Sequence, residues 1–308
     1  MTKPFPNLRT LFWSPPLALA LAVAWLGIVP ARAQDPAPSA SAEPPKGLRV
    51  YSIGHSFHVF MPGILAQIAK TAGVVDHQQV GLSSIGGSYV HQHWNAPDDK
   101  FKSKATLESG ALDVLTIAPL FLPDDGIENF VRLASEKCPQ IRVFIQEFWL
   151  PFDVNSDFRK VKPQPPDRET FDLAKLQAEY DAYFRDIDAH VVALKEKYGD
   201  KPRLFVVPVG QPVLALRKKI AEGASPGLAK QTDLFTDPIG HAKPPLQTLV
   251  AYCYYAEIYG RDPAGLPVPP QLEKAGLDKE TTAKLNRLLQ ELAWNAVTSH
   301  PLSGVTAK

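Results

Sequence analysis

The sequence predicts a three-layer α/β/α sandwich built on a five-stranded parallel sheet. Five short runs rich in Val, Ile, Leu and Phe recur along the chain, and such runs suit strands that are buried on both faces. Helical sequence separates the runs, and this alternation implies parallel strands joined by right-handed crossovers. Residues 47–308 are also numerous enough for one large α/β domain.

The predicted elements alternate along the chain. The predicted strands are residues 48–53, 79–85, 112–117, 142–148 and 203–209. The predicted helices are residues 62–72, 126–135, 172–198, 212–222, 245–259 and 279–299. The polar, Pro-rich segment 151–166 is too long for a usual connection. We therefore expect it to be a surface excursion that contributes to a pocket rim.

The N-terminus has the composition of a secretory signal peptide. Lys3 and Arg9 precede an apolar run at residues 17–29, and a Pro and an Ala-Arg-Ala triplet ending at Ala33 follow it. The alternative is a membrane anchor, but a span needs about 20 predominantly apolar residues and prolines shorten this run. Residues 1–33 are therefore predicted to be cleaved, which leaves a periplasmic or extracellular protein without stable membrane insertion.

A tether and one domain are predicted to follow the signal peptide. Residues 34–46 contain Pro, Ala, Ser and Glu but no large apolar side chain, which predicts a disordered linker before the domain at 47–308. The 33 Lys and Arg residues against 32 Asp and Glu residues give a formal net charge of +1, without a basic cluster. Nucleic acid is therefore not an expected partner.

The chain contains two cysteines, Cys138 and Cys253. An oxidising compartment permits a disulfide between them. Cys138 precedes a predicted strand and Cys253 lies in an apolar helix, so two separately buried thiols are the equal alternative.

A serine follows the first predicted strand in the sequence Gly54-His55-Ser56-Phe57. In an open parallel sheet, ligands collect at the carboxyl ends of the strands. A serine on a strand-to-helix turn places its hydroxyl near a helix N-terminus, where a developing anion is stabilised. Ser56 is therefore a candidate nucleophile, and the alternative is an ordinary helix N-cap.

Two further groups follow other strands. Gly86 and Gly87 follow the second strand, where backbone N–H groups could approach a ligand, although a tight turn would also explain them. Asp237 and His241 follow the fifth strand, and a carboxylate close to a histidine can orient the imidazole as in a Ser/His/Asp triad. A solvated polar loop is the alternative for this pair.

The residues that follow the first, second and fifth predicted strands together resemble the conserved sequence blocks of the SGNH (GDSL-like) hydrolases. The resemblance covers about residues 48–262. The resemblance implies a flavodoxin-like sheet with strand order 2-1-3-4-5. It also implies Ser56 as nucleophile and oxyanion donor, with Gly87 or, in an offset turn, Gly86 as a second donor. His241 is then the base and Asp237 the orienting acid.

The chain departs from the SGNH pattern in two places. The acid and base are separated by three residues rather than two, which leaves Asp233 as a substitute for Asp237. The segment 116–120 lacks the Asn whose amide is the third oxyanion donor, and Gln146 is a candidate replacement. Loss of one such donor typically costs about 10²–10³-fold in turnover.

Several side chains near the predicted edge of the sheet are expected to line a pocket, namely His55, Tyr89, His93, Trp94, Gln146 and Trp149. The histidines could suggest a metal site, but they lack a recognisable ligand pattern with carboxylates or cysteines. No metal or organic cofactor is expected.

These features predict an exported serine esterase with a Ser/His/Asp triad. Analogy with the SGNH family suggests a small-molecule or carbohydrate ester as substrate, such as an O-acetylated sugar. The alternative is an SGNH-shaped binding or scaffold protein with weak or absent hydrolytic activity.

Overall fold

The computed structural model describes residues 45–170 and 172–307. The predicted signal peptide and the predicted linker up to residue 44 lie outside the described residues. Within the predicted linker, Lys46 already forms a parallel bridge with Val75, so regular pairing begins one residue before the predicted domain boundary. In the described ranges, no helix has both the length and the apolarity that crossing a bilayer requires.

The core of the protein is a five-stranded sheet in which all neighbouring strands are parallel. The strands are β1 (Arg49–Gly54), β2 (Gln78–Ser84), β3 (Val114–Ile117), β4 (Arg142–Glu147) and β5 (Arg203–Pro208). Their order is β2-β1-β3-β4-β5, which confirms the predicted fold class and order. Strand β3 is buried throughout, as expected for the centre of a sheet that is covered on both faces.

Helices cover both faces of this sheet. They are α1 (Met61–Thr71), α2 (Val90–Trp94), α3 (Ser103–Glu108), α4 (Asp125–Lys137), α5 (Leu173–Tyr198), α6 (Gly210–Ala221), α7 (Pro244–Tyr259), α8 (Pro270–Glu273) and α9 (Lys279–Ser299). The chain moves from β1 to β2 in one direction and from β3 to β4 in the other. Right-handed crossovers therefore place α1 and α4 on opposite faces. Helix α7 packs between α1 and α9, whereas α4 packs against α5.

The long helices follow from local sequence signals. The Asp172 carboxylate accepts hydrogen bonds from two backbone N–H groups at the start of α5, and the Asp278 carboxylate caps α9 by accepting from the Thr281 N–H. Helix α7 is buried on almost every side, which matches its nearly continuous apolar sequence. The sequence did not predict α2, α3 and α8, because helices of four to six residues are too short to show a periodic pattern.

The two cysteines do not form a disulfide. Both thiols are free and buried. Cys138 Sγ donates to the Leu107 carbonyl at 3.1 Å, whereas Cys253 lies inside α7. The separately buried arrangement is therefore the one that the structure contains.

Two glycines in the first turns of helices give a matched test of this packing. A Cβ at Gly126 would lie 2.0 Å from the backbone nitrogen of His91, whereas a Cβ at Gly63 would have no neighbour within 4 Å. We expect Gly126→Ala to lower the free energy of unfolding by about 1–3 kcal/mol through overpacking. Gly63→Ala should raise it by up to about 1 kcal/mol through helix propensity. Urea unfolding measures both, and equal effects would contradict the close contact between α2 and α4.

Candidate active site

Ser56 lies in a tight turn between β1 and α1. The turn is closed by hydrogen bonds from the N–H groups of His58 and Val59 to the His55 carbonyl, at 2.9 and 3.1 Å. Helix α1 begins only at Met61, so Ser56 does not cap it, and the N-cap interpretation is wrong. The turn leaves the Ser56 hydroxyl half-buried at the carboxyl end of the sheet.

Ser56, His241 and Asp237 form a continuous hydrogen-bonded chain. Ser56 Oγ lies 2.8 Å from His241 Nε2, and His241 Nδ1 lies 2.5 Å from Asp237 Oδ2. With the proton on Nδ1 donated to the carboxylate, Nε2 is left as an acceptor for the serine hydroxyl. The sequence-predicted nucleophile, base and acid are therefore brought together in the order that proton transfer requires.

A turn compensates for the extra residue between acid and base. Asp237 Oδ1 accepts hydrogen bonds from the N–H groups of Gly240 and His241, at 2.9 and 3.2 Å. Gly240 has a φ of 107°, a backbone conformation that residues with a side chain rarely adopt. The chain thus folds back so that the second carboxylate oxygen faces the imidazole.

The environment of Asp237 favours its ionised form. Burial raises the pKa of this carboxyl, but the hydrogen bonds from the His241 side chain and from the two backbone N–H groups outweigh burial, and the pKa lies below its ordinary value. An ionised carboxylate can stabilise an imidazolium.

Asp233 is not positioned to replace Asp237. Its Oδ2 accepts hydrogen bonds from the N–H groups of Ala229 and Lys230, at 2.8 and 2.9 Å. These contacts commit Asp233 to a local turn. Of the two predicted acids, Asp237 is therefore the one that contacts His241.

Ser56 shares a cleft with Gly86 and Gly87. In the part of the chain that the structure describes, the N–H groups of Ser56, Gly86 and Gly87 donate to no protein acceptor. All three residues line one cleft, and Gly87 adopts a left-handed φ of 57° that suits glycine. The residues predicted as oxyanion donors therefore line the cleft together, and their N–H groups have no protein acceptor.

The cleft itself is small and predominantly apolar, with a volume of about 250 Å³. It is lined by His55, Ser56, Phe57, Gly86, Gly87, Leu120, Pro151, Phe158, Ile239 and His241. Pro151 and Phe158 belong to the segment 151–166, which contributes to the rim as predicted. Burial lowers the pKa of His55 to about 4, so this predicted pocket residue is neutral near pH 7.

Among the described residues, no Asn or Gln side chain lines the cleft to act as the family's third oxyanion donor. Leu120, just after β3, occupies part of the lining instead. Gln146 was the predicted replacement, and this assignment is wrong. Gln146 is fully buried, with Oε1 2.9 Å from His58 Nδ1 and Nε2 3.3 Å from the Phe57 carbonyl. Its amide supports the nucleophile turn from below.

Four other predicted pocket residues also lie outside the lining, namely Tyr89, His93, Trp94 and Trp149. The Tyr89 hydroxyl donates to Asp157 at 2.7 Å and so holds the segment that carries Phe158. His93 is buried, with Nε2 2.7 Å from Ser88 Oγ. These side chains belong to the short helix α2 and its N-cap, and the pocket prediction was wrong because the sequence did not reveal this helix.

Trp94 and Trp149 have packing roles. Trp94 packs edge-on against Phe130 of α4, with ring centroids 5.1 Å apart. Trp149 stacks on Phe57 with centroids 4.4 Å apart, and its Nε1 donates to the Gly240 carbonyl at 2.8 Å. Trp149 therefore holds the loop between Asp237 and His241 in place rather than forming a wall of the cleft.

Two groups of side chains are close enough together to suggest a cation site. In the first, the Asp124 carboxylate already accepts from the backbone N–H groups of Val90, His91 and Gly126. In the second, formed by Glu147, Asp188 and His300, His300 Nδ1 accepts from the Leu302 N–H, which places the proton on Nε2, the nitrogen that faces the carboxylates. In the first group the carboxylate is thus occupied by backbone donors, and in the second the histidine presents an N–H rather than a lone pair to the carboxylates, so neither group is proposed as a metal site.

Neither a protein-family model nor a curated protein sequence matches the chain. Among solved structures, the crystal structure of a DUF4886 family protein from Bacteroides uniformis is similar, with a TM-score of 0.50 and 14% sequence identity. The match covers 85% of this chain and 98% of that chain. At this identity the similarity concerns the fold alone, and it supports the α/β architecture.

The buried network beneath the nucleophile makes stability depend on pH. Burial is the largest influence on His58, and it lowers the pKa from 6.5 to about 3. Between these two pH values the unfolded chain binds a proton at His58 and the folded chain does not. The free energy of unfolding therefore decreases as the pH falls from about 6.5 toward 3.

We expect His58→Asn to reduce the slope of unfolding free energy against pH, between pH 5 and 6, by roughly 1 kcal/mol per pH unit. Urea titrations of both proteins at several pH values measure the slope. An identical slope would contradict a neutral His58 in the folded protein.

Proposed function

We propose that the protein is an exported serine ester hydrolase that resembles the SGNH hydrolases. The observation that carries the proposal is the hydrogen-bonded chain from Ser56 through His241 to Asp237, which opens onto a cleft with unpaired backbone amides. A serine hydroxyl is a weak nucleophile unless a base accepts its proton, and this geometry supplies that base.

In the proposed acylation step, Ser56 Oγ attacks the ester carbonyl carbon while its proton passes to His241 Nε2. The carbonyl oxygen becomes an oxyanion that accepts hydrogen bonds from the N–H groups of Ser56 and Gly87, with Gly86 as the neighbouring donor. Collapse of the intermediate breaks the bond to the alcohol oxygen, which takes the proton from His241. An acyl-serine remains.

In the proposed deacylation step, a water molecule attacks the acyl-serine and His241 accepts its proton. The second tetrahedral intermediate expels Ser56, which recovers a proton from His241, and the acid leaves. Asp237 remains ionised throughout and stabilises the imidazolium. The reaction needs neither a metal nor an organic cofactor.

The lining of the cleft supports a small, uncharged acyl group. Leu120, Phe158 and Ile239 present apolar surface around the hydroxyl, and the available volume is about 250 Å³. An acetyl group on a small-molecule or carbohydrate ester fits this description, and the sugar carrier is suggested by analogy with the SGNH family. Leu120 lies in the segment where the SGNH family has the Asn that serves as third oxyanion donor. We therefore expect modest turnover.

Removal of the nucleophile or the base should abolish hydrolysis. We expect Ser56→Ala and His241→Ala to reduce the turnover of p-nitrophenyl acetate to background, and Ser56→Ala to lose labelling by a fluorophosphonate probe. Ser56 is half-buried in a turn, so its loss should change the free energy of unfolding by no more than about 1 kcal/mol.

The same experiment tests the binding-protein alternative. An active Ser56→Ala variant would overturn the mechanism. A wild-type protein that hydrolyses no acetyl or short-chain ester and reacts with no fluorophosphonate would overturn the esterase proposal and favour a binding protein with this fold.

The two candidate acids give a matched pair of variants. Asp237→Asn should lower kcat by up to about 10⁴-fold, because the amide cannot hold the imidazole with its proton on Nδ1. Asp233→Asn should leave kcat within a few-fold of wild type, since Asp233 binds only local backbone groups. Steady-state kinetics with a soluble acetyl ester compare them. Equal losses, or a larger loss for Asp233→Asn, would contradict the assignment.

A further inference from the structure

We infer that Arg168 is a positioning residue for the proposed reaction, because it fixes the loop that carries Asp237 and His241. This inference rests on the proposed function of that site. Arg168 lies in an irregular segment before α5, and no sequence pattern marks it. Its side chain is only 4% exposed and does not line the cleft, so its contribution would come through the loop rather than through contact with substrate.

All five consecutive carbonyl groups of the loop 237–241 accept hydrogen bonds. The local donors are the Gly240 N–H, which binds the Asp237 carbonyl, and the N–H and hydroxyl of Thr236, which bind the His241 carbonyl. The others come from distant parts of the chain. Trp149 Nε1 donates to the Gly240 carbonyl, and the Phe152 N–H donates to the Ile239 carbonyl at 3.0 Å.

Arg168 supplies the remaining two contacts through a single guanidinium group. Its Nη1 donates to the Asp237 carbonyl at 3.0 Å and its Nη2 donates to the Pro238 carbonyl at 2.8 Å. A planar fork can hold two neighbouring carbonyls at once in a fixed geometry, whereas a lysine ammonium group cannot. The guanidinium also lies over the Phe235 ring, 4.3 Å from its centroid.

A buried ion-pair network fixes the guanidinium in turn. Arg168 Nε lies 3.3 Å from Asp153 Oδ2. The Asp153 carboxylate also receives two hydrogen bonds from the fully buried Arg217, at 2.8 and 3.0 Å, and Arg217 Nε donates to Gln231. Asp153 itself has a φ of 61°, which is unfavourable for a residue other than glycine. Strained conformations of this kind persist where the surrounding contacts over-determine them.

The geometry of the acid-base pair depends on this support. An isolated antiparallel bridge between Phe235 and Ala242 closes the base of the loop, but residues 237–241 belong to no helix or strand. Asp237 must still face the imidazole across a three-residue spacing. A displacement of about 1 Å in a catalytic group can cost about 10²-fold in rate. Loss of the guanidinium fork should therefore reduce the chemical step and leave substrate binding unchanged.

The test compares Arg168→Lys, which keeps the charge, with Arg142→Lys as a matched control. Arg142 also donates to a backbone carbonyl, that of Ile258 at 2.7 Å. It lies at the start of β4, at the amino end of the sheet and away from the cleft. We expect Arg168→Lys to lower kcat for an acetyl ester by about 10–100-fold with little change in KM, whereas Arg142→Lys should keep kcat. In Arg168→Ala, added guanidinium chloride at a non-denaturing concentration should restore part of kcat.

Two measurements that need no substrate separate this inference from the proposed function. The hydrogen-bonded Nδ1 proton of His241 should give a strongly deshielded NMR signal in wild type, which Arg168→Lys weakens or removes. Amide hydrogen exchange at Gly240 and His241 should accelerate in the same variant. If wild type hydrolyses esters and Arg168→Lys retains kcat, the NMR signal and amide protection, the positioning role is overturned and the esterase proposal stands.

If wild type is inactive and unlabelled by fluorophosphonate, the esterase proposal fails. Retention of the deshielded signal and of amide protection in Arg168→Lys would then overturn the positioning of the loop as well, whereas their loss would support it.

Discussion

The hydrogen bonds to the carbonyl groups of residues 237–241 are the constraint on which the rest of the site depends. A loop without regular structure must satisfy its backbone polar groups elsewhere, or burial becomes costly. Here the donors come from the loop itself, from the end of β4 and from the irregular segment after it. These contacts hold the loop from which the His241 imidazole reaches to 2.8 Å from the Ser56 hydroxyl.

The ionisable side chains near the cleft differ in charge at pH 7. Asp237 is ionised because hydrogen bonds outweigh the effect of burial on its pKa. His55 and His58 are neutral at pH 7 because burial lowers their pKa values to about 4 and about 3. His58 connects Gln146 with Thr116 beneath the nucleophile turn, through contacts of 2.9 Å. The site thus keeps one negative charge close to the imidazole and excludes competing positive charge from the buried histidines.

The sequence predicted the parts of the structure that repeat a local pattern. Strands and long helices follow from hydrophobic periodicity, and Ser56 and His241 follow from their places after strands of a parallel sheet. The pocket assignments of Tyr89, His93 and Trp94 failed because the five-residue helix α2 redirects the chain. Gln146 was misplaced because the alternation of strand side chains turns it into the core. The role of Arg168 could not be predicted from a local sequence pattern, because the two carbonyl groups that it binds lie about 70 residues further along the chain.

The central claim is that Ser56 performs nucleophilic attack while its own N–H and that of Gly87 hold the oxyanion. A crystal structure of the protein after reaction with a small organophosphonate fluoride tests this claim most directly, because the tetrahedral adduct stands in for the intermediate. The account predicts a covalent bond from phosphorus to Ser56 Oγ and a phosphoryl oxygen about 2.7–3.1 Å from both amide nitrogens. An adduct on another residue, or a phosphoryl oxygen that faces Leu120 and binds neither amide, would contradict it.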